Sequence, residues 1–214
     1  MNLSNYLANG LLDHWLRNTP WTAPGTVYFA LLKCTKGRRS SSYSYSLNDT
    51  IAVKANDNIY HLYKCTNGGT SASSQGTLYP GAKDEVITDG GATFVEQSSN
   101  LKANTSMNEV SGGSYARASL ACSLNNFSGT QGLGSTVASS GTSGTTYNNV
   151  VITFPVPTAD WTTSPETVWC VALYDASTSG NLLGLQPLVS PKGIINGDPA
   201  QTIQAGSWSF QIDQ

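Results

Sequence analysis

Past residue 20 the apolar residues of this chain stop recurring at helical spacing and fall into short runs cut by Gly, Asn, Ser and Pro. A chain punctuated in this way cannot build helices that pack on one another, so it buries its apolar residues in strands. Thr26–Lys33 (TVYFALLK) is the densest run, entered from Pro24-Gly25. The spacing predicts further strands at Ile51–Lys54, Ile59–Cys65, Glu85–Ile87, Thr93–Glu96, Tyr115–Cys122 and Val150–Pro155. Others are predicted at Thr167–Tyr174, Leu182–Leu188, Gln201–Gln204 and Ser207–Asp213. In the last of these Trp208, Phe210 and Ile212 alternate with polar residues, as in a half-buried strand. Short strands with turn residues between them indicate an all-β fold, a β-sandwich of jelly-roll or immunoglobulin-like type.

The exception is the N-terminus. Leu3, Tyr6, Leu7, Leu11, Leu12, Trp15 and Leu16 recur at three- and four-residue spacing and define an amphipathic helix. Ser4 or Asn2 caps its start. Asn18-Thr19-Pro20 ends it, because the residue before Pro disfavours helical geometry. A face this wide docks on the sheet or on a neighbouring subunit, which makes Leu7, Leu11 and Trp15 candidate contact residues. Two stretches break the strand rhythm. Ser123–Tyr147 is rich in Gly, Ser and Thr and carries no charge. It reads as a long surface loop or a segment ordered by a partner. Residues 36–102 read as an inserted small β module, leaving 1–35 and 103–214 as a discontinuous β-sandwich domain.

Composition excludes several functions. Only 11% of the 214 residues are charged and the net charge is −2, while 27 Ser, 23 Thr and 21 Gly supply the surface. No basic stripe is available to neutralise phosphates, which excludes nucleic acid as a partner, and the same weak charge argues against an anionic membrane surface. No apolar run approaches the ~20 residues of a membrane span. Met1-Asn2-Leu3-Ser4-Asn5 lacks the basic and apolar regions of a secretory signal, so the chain is expected to fold in a cytoplasm and leave in a larger particle. Cys34, Cys65, Cys122 and Cys170 form no C-x-x-C pair. They read as buried free thiols, with a Cys34–Cys65 bridge as the alternative. The two histidines, His14 and His61, have no ligand spacing around them and read as structural. Asp84-Glu85 reads as a solvated turn. No catalytic motif, metal site or cofactor site emerges, and the chain is expected not to be an enzyme.

The 36–102 stretch has its own grammar. A Tyr-rich strand Ile59-Tyr60-His61-Leu62-Tyr63-Lys64-Cys65 leads to Gly68-Gly69-Thr70-Ser71, then to Leu78-Tyr79-Pro80 and Asp89-Gly90-Gly91 before Thr93-Phe94. It resembles the small β module, similar to chitin-binding-type carbohydrate modules, that recurs in phage structural proteins. Phe94 stands where that module often has Trp. The resemblance implies a host-glycan surface built from Tyr43, Tyr45, Tyr60 and Tyr79. The residues alone equally allow Tyr60, Tyr63, Tyr79 and Phe94 to form a miniature core.

The flanking sequence carries a second resemblance. Its landmarks are Leu11-Leu12-Asp13-His14-Trp15, Val27-Tyr28-Phe29-Ala30-Leu31, Glu109-Val110-Ser111-Gly112-Gly113 and Tyr115-Ala116-Arg117. Ala159-Asp160-Trp161, Leu173-Tyr174-Asp175 and Ala205-Gly206-Ser207-Trp208 follow in order. This order is similar to a family of small tailed-phage virion proteins labelled tail fibre or head fibre, some of which act as capsid cement or decoration. The resemblance implies a non-enzymatic virion protein that bridges capsomers through the major capsid protein. It also implies a homo-oligomer, with a trimer matching three-fold capsid sites. Its alternative is a tail-fibre or tail-tip protein that binds host surface glycan. Arg117 is one of few charges in its region and either pairs with a carboxylate of the same chain or contacts a capsid neighbour.

Overall fold

A computed structural model describes residues 2–76, 78–105 and 107–212. The elements begin with β1 (Asn2–Leu3), α1 (Asn5–Arg17), β2 (Thr26–Cys34), β3 (Ser44–Tyr45), β4 (Thr50–Lys54) and β5 (Tyr60–Asn67). They continue with β6 (Gly69–Thr70), β7 (Val86–Asp89), β8 (Ala92–Glu96), α2 (Ser98–Lys102), β9 (Ala118–Ala121) and β10 (Thr145–Tyr147). The last are β11 (Ile152–Thr153), β12 (Thr167–Tyr174), β13 (Leu182–Lys192), β14 (Thr202–Ile203) and β15 (Ser209–Gln211). The fold is mostly β with an N-terminal helix, and all pairings between these strands are antiparallel. The strands divide among five sheets rather than the two of a jelly-roll or immunoglobulin sandwich. Asp213 of the last predicted strand lies outside the described residues.

The largest sheet runs β1-β13-β12-β2-β9 and is buried on both faces. Val27, Phe29 and Leu31 of β2 enter one core with Phe154, Trp161 and Trp208. The alternate residues Ala30 and Leu32 enter a second core with Trp169 and Leu182. Two buried faces explain why β2 reads as a continuous apolar run and not as an alternating one.

The second core is shared with the inserted stretch. A four-stranded sheet, β4-β5-β8-β7, presents Ala52, Tyr60 and Leu62 to it. The opposite face closes a third core around Tyr45, Ile51, Val53, Tyr63, Tyr79 and Phe94. The chain leaves the large sheet after Cys34 and returns beside its point of departure. Lys33 N–H donates to Asn108 O (2.8 Å) and Val110 N–H donates to Leu31 O (2.9 Å). Both Gly-Gly pairs of the insert are architectural. A Cβ on Gly69 would sit 2.2 Å from Gly91 O, and Gly90 holds φ 64° against Thr70 O. Residues 123–147 form an irregular segment tied by its own bonds, such as Gln131 Nε2–H to Ala138 O (2.7 Å), until β10 pairs with β15.

All four cysteines are free, so the Cys34–Cys65 bridge is absent. Cys34, Cys65 and Cys170 are buried, but Cys122, just past the end of β9, is exposed and corrects the expectation for that residue. Helix α1 also departs from its expected docking. Ser4 caps it by accepting from Leu7 N–H (3.1 Å), and the same hydroxyl donates to Leu182 O on β13. Asn18 ends it in the left-handed region at φ 52°. Only half of the apolar face is used: Leu7 is buried in the first core and Leu11 packs partly against it. Trp15 is 62% exposed and Leu16 78% exposed. The two leucines therefore separate in their energetics. Leu7→Ala is expected to cost about 2–4 kcal/mol in denaturant unfolding, whereas Leu16→Ala stays within about 0.5 kcal/mol of the parent.

Candidate functional site

The insert is organised by one buried ion pair. Arg39 donates from Nε to Asp89 Oδ2 (2.6 Å) and from Nη2 to Oδ1 (2.9 Å). Asp89 also accepts from Tyr79 OH (2.7 Å) and Ala72 N–H (2.9 Å). Burial is the largest influence on Asp89 and would raise its pKa, but these donors together hold it below the ordinary carboxylate range. Tyr79 responds in the opposite sense: burial, then the bond to Asp89, pushes its phenol well up.

Of the four tyrosines expected to face a glycan, the network bonds Tyr79 directly. Tyr45 and Tyr79 are buried in the third core, and Tyr60 is buried in the second. Only Tyr43 reaches the surface, at 37% exposure. The four rings therefore form no exposed platform. Tyr63, Tyr79 and Phe94 instead make the miniature core, with Tyr63 and Tyr79 edge-on at 4.9 Å.

Arg117 is likewise internal. Its guanidinium grips Glu109 with two bonds (Nε to Oε1, 2.9 Å; Nη2 to Oε2, 2.7 Å). It donates to Ala176 O and Ser179 O and lies 3.7 Å over the Tyr174 ring. Burial pushes the Tyr174 phenol up to about 12, against the Arg117 charge, which pulls it down. Glu109 also accepts from Tyr115 OH, whose oxygen accepts Leu31 N–H (3.0 Å), so the cluster fastens the return strand to β2. Arg117 and Leu7 are thus withdrawn as subunit contacts, Leu11 is half-covered, and Trp15 remains on the surface.

A cleft opens where the insert meets the large sheet. It has a volume of about 200 Å³, with Ile59, Tyr60, Trp169, Leu185 and Pro187 among its walls. Asp57, His61, Glu96, Ser98 and Lys102 supply its polar groups. His61 stands between two carboxylates: Nδ1 is 3.1 Å from Glu96 Oε1 and Nε2 is 2.8 Å from Asp57 Oδ2. With a carboxylate at each ring nitrogen the imidazolium is favoured. Glu96, then Asp57, raises the His61 pKa despite burial. Burial would raise Glu96, but His61, Ser98 and the Asp84 N–H hold it low. Glu96 accepts four bonds in all, from His61, from Ser98 Oγ (2.6 Å) and N–H (2.8 Å), and from Asp84 N–H (3.0 Å). That fills the roughly four lone-pair sites of a carboxylate, leaving no oxygen for acid–base chemistry. His14, by contrast, only faces Thr19 O on the surface. Among the described residues no cluster of three or more His, Cys, Asp or Glu is placed to hold a metal ion.

Sequence reasoning missed this trio because Asp57 and Glu96 lie 39 positions apart. The register brings them together: Tyr63 pairs with Glu96, and His61 is its neighbour two residues along the same face of β5. The signal that was legible was the short Asp57-to-His61 spacing across a hairpin turn.

Two outcomes test these networks. Asp89→Asn leaves the Arg39 charge buried and short of its partner, which costs about 3–5 kcal/mol in unfolding. His61 has a pKa raised above its ordinary 6.5, so its contribution is complete below that value and fades as pH rises through the raised one. Asp57 and Glu96 lie below their ordinary 3.8 and 4.5, so their contribution is lost as pH falls through the lowered values. Thermal melts should show the chain losing stability as pH rises above about 6.5. His61→Gln should flatten that slope.

A family model described as podophage GP4 fiber I protein gp80 covers residues 2–91 and 92–211, and so runs through the inserted stretch as well as its flanks. No curated protein matches the chain.

Proposed function

This chain belongs to the podophage GP4 fiber I protein gp80 family, and from that premise we propose that it is a fibre subunit that attaches to sugars of the host surface. The family places it among phage fibre proteins, implies a structural and non-enzymatic role, and implies location in the virion. The observation that carries the attachment reading is the match itself: it runs over nearly the whole chain, and its description is of a fibre, not of a capsid shell. Capsomer bridging through the major capsid protein is the weaker reading, supported by the resemblance of the flanking motifs alone. The saturated Glu96 supports a binding role over hydrolysis.

Self-association is part of the same reading. Leu12, Trp15 and Leu16 leave an apolar stripe on α1, while its Asp13 and Arg17 pair with each other at 3.0 Å. An uncharged stripe suits a second copy of the chain in a two- or three-fold fibre.

Antibody against the purified chain, carried on gold, should label the fibres of the virion in electron micrographs. The purified chain should also compete with whole phage for adsorption to host cells. Gold spread evenly over the head shell, with no competition for adsorption, would sink the attachment reading and return the chain to capsid decoration.

A further inference from the structure

The seam cleft has a composition that the ion-pair networks alone do not require. Its floor is fixed, because Glu96 and His61 spend their polar atoms on each other and on Ser98, Asp84 and Asp57. Its rim is not. The Lys102 ammonium makes neither a hydrogen bond nor an ion pair within 4 Å among the described residues. Asp57 keeps 39% of its side chain open beside His61. The Ser98 hydroxyl donates to Glu96 and so retains acceptor capacity.

We propose that this cleft binds one neutral sugar ring, with Lys102 and Asp57 hydrogen-bonding its hydroxyls and its C–H face against the apolar wall. The assignment rests on the attachment reading and gives it an address. Three features select the ligand. The first is charge: Asp57 and Glu96 balance His61 and Lys102. A cationic ligand would meet Lys102 and an anionic one Asp57, so the cleft favours neither. The second is chemistry. Ile59, Leu185 and Pro187 offer aliphatic wall while the rim offers the Lys102 donor and the Asp57 and Ser98 acceptors. A pyranose has that same division, with hydroxyls around its edge and C–H bonds on its faces. The third is size. About 200 Å³ falls short of the cavities that enclose larger ligands, which run to roughly 300–1,000 Å³. One ring fits, with any further sugar of a glycan extending into solvent.

The test uses the full chain with methyl glycosides of glucose, galactose, N-acetylglucosamine and rhamnose, followed by saturation-transfer NMR and calorimetry. Glucosamine and glucuronate serve as charged controls. At least one neutral glycoside should bind, and more tightly than either control. Lys102→Ala should weaken that binding by about tenfold, the effect of losing one charge-assisted bond. Ile59→Trp, which fills the cleft from a half-exposed position, should abolish it. Val156→Ala, at an exposed residue that does not line the cleft, should leave it unchanged. Melting curves of each variant establish that it is folded. If no neutral glycoside binds, or if folded Ile59→Trp binds as the parent does, the cleft assignment is overturned. The adsorption competition separates the two readings. A folded Ile59→Trp chain that competes with phage as well as the parent removes the cleft and leaves attachment standing. A parent chain that fails to compete removes attachment as well.

Discussion

The Arg39–Asp89 pair is the interaction on which the inserted stretch depends. Its members lie 50 positions apart, and both side chains are nearly sealed from solvent. Between them the chain runs through segments with little ladder bonding, above all residues 71–85. Asp89 gathers those segments by accepting from Arg39, Tyr79 and the Ala72 backbone at once. Arg39 closes the circle by donating to Ala72 O (2.7 Å). A buried ion pair contributes little net stability over an apolar substitute, because desolvation offsets the attraction. What it supplies here is uniqueness. The bidentate pair and two further donors fix the Asp89 carboxylate in one orientation beside the core of Tyr45, Tyr79 and Phe94.

The same device recurs on the large sheet. Arg117 and Glu109 hold the returning chain against β2 with two bonds, and Tyr174 lies under the guanidinium. Each time, an arginine fork does what a longer run of strand pairing does elsewhere. In a chain with only 11% charged residues, two arginine–carboxylate pairs are thus spent on joints. The cleft lies where the two sheets share the second core.

Much of the architecture was legible because strand signals are local. Thr167–Tyr174 is both the predicted run and the observed β12, and the α1 periodicity and its Ser4 cap are in place. Val150–Pro155 shrank to the two residues of β11, because tertiary pairing, not apolar content, decides how far a ladder extends. Periodicity also located the apolar face of α1 without showing that half of it lacks a partner in the chain, since spacing reports where side chains lie and not what covers them. The tyrosines failed for a related reason. An aromatic with a polar tip suits an open surface or a core that offers the hydroxyl a partner, and only the Asp89 carboxylate, ten residues past Tyr79, decides between them. His61 and Glu96 were illegible, because their meeting depends on the register of two strands and leaves no trace in either segment.

The closing of the insert has a mechanical side. Backbone bonds from Lys33 to Asn108 and from Val110 to Leu31 join the chain on either side of the inserted stretch. Tension drawn along the polypeptide from β2 toward β9 therefore crosses at these bonds and does not travel around the module. Should the crossing bonds yield and the module then unfold, the residues between Lys33 and Asn108 become slack, at about 3.4 Å each a reserve of roughly 250 Å. A fibre built of such subunits has a stored extension that lengthens it before its backbone is drawn taut.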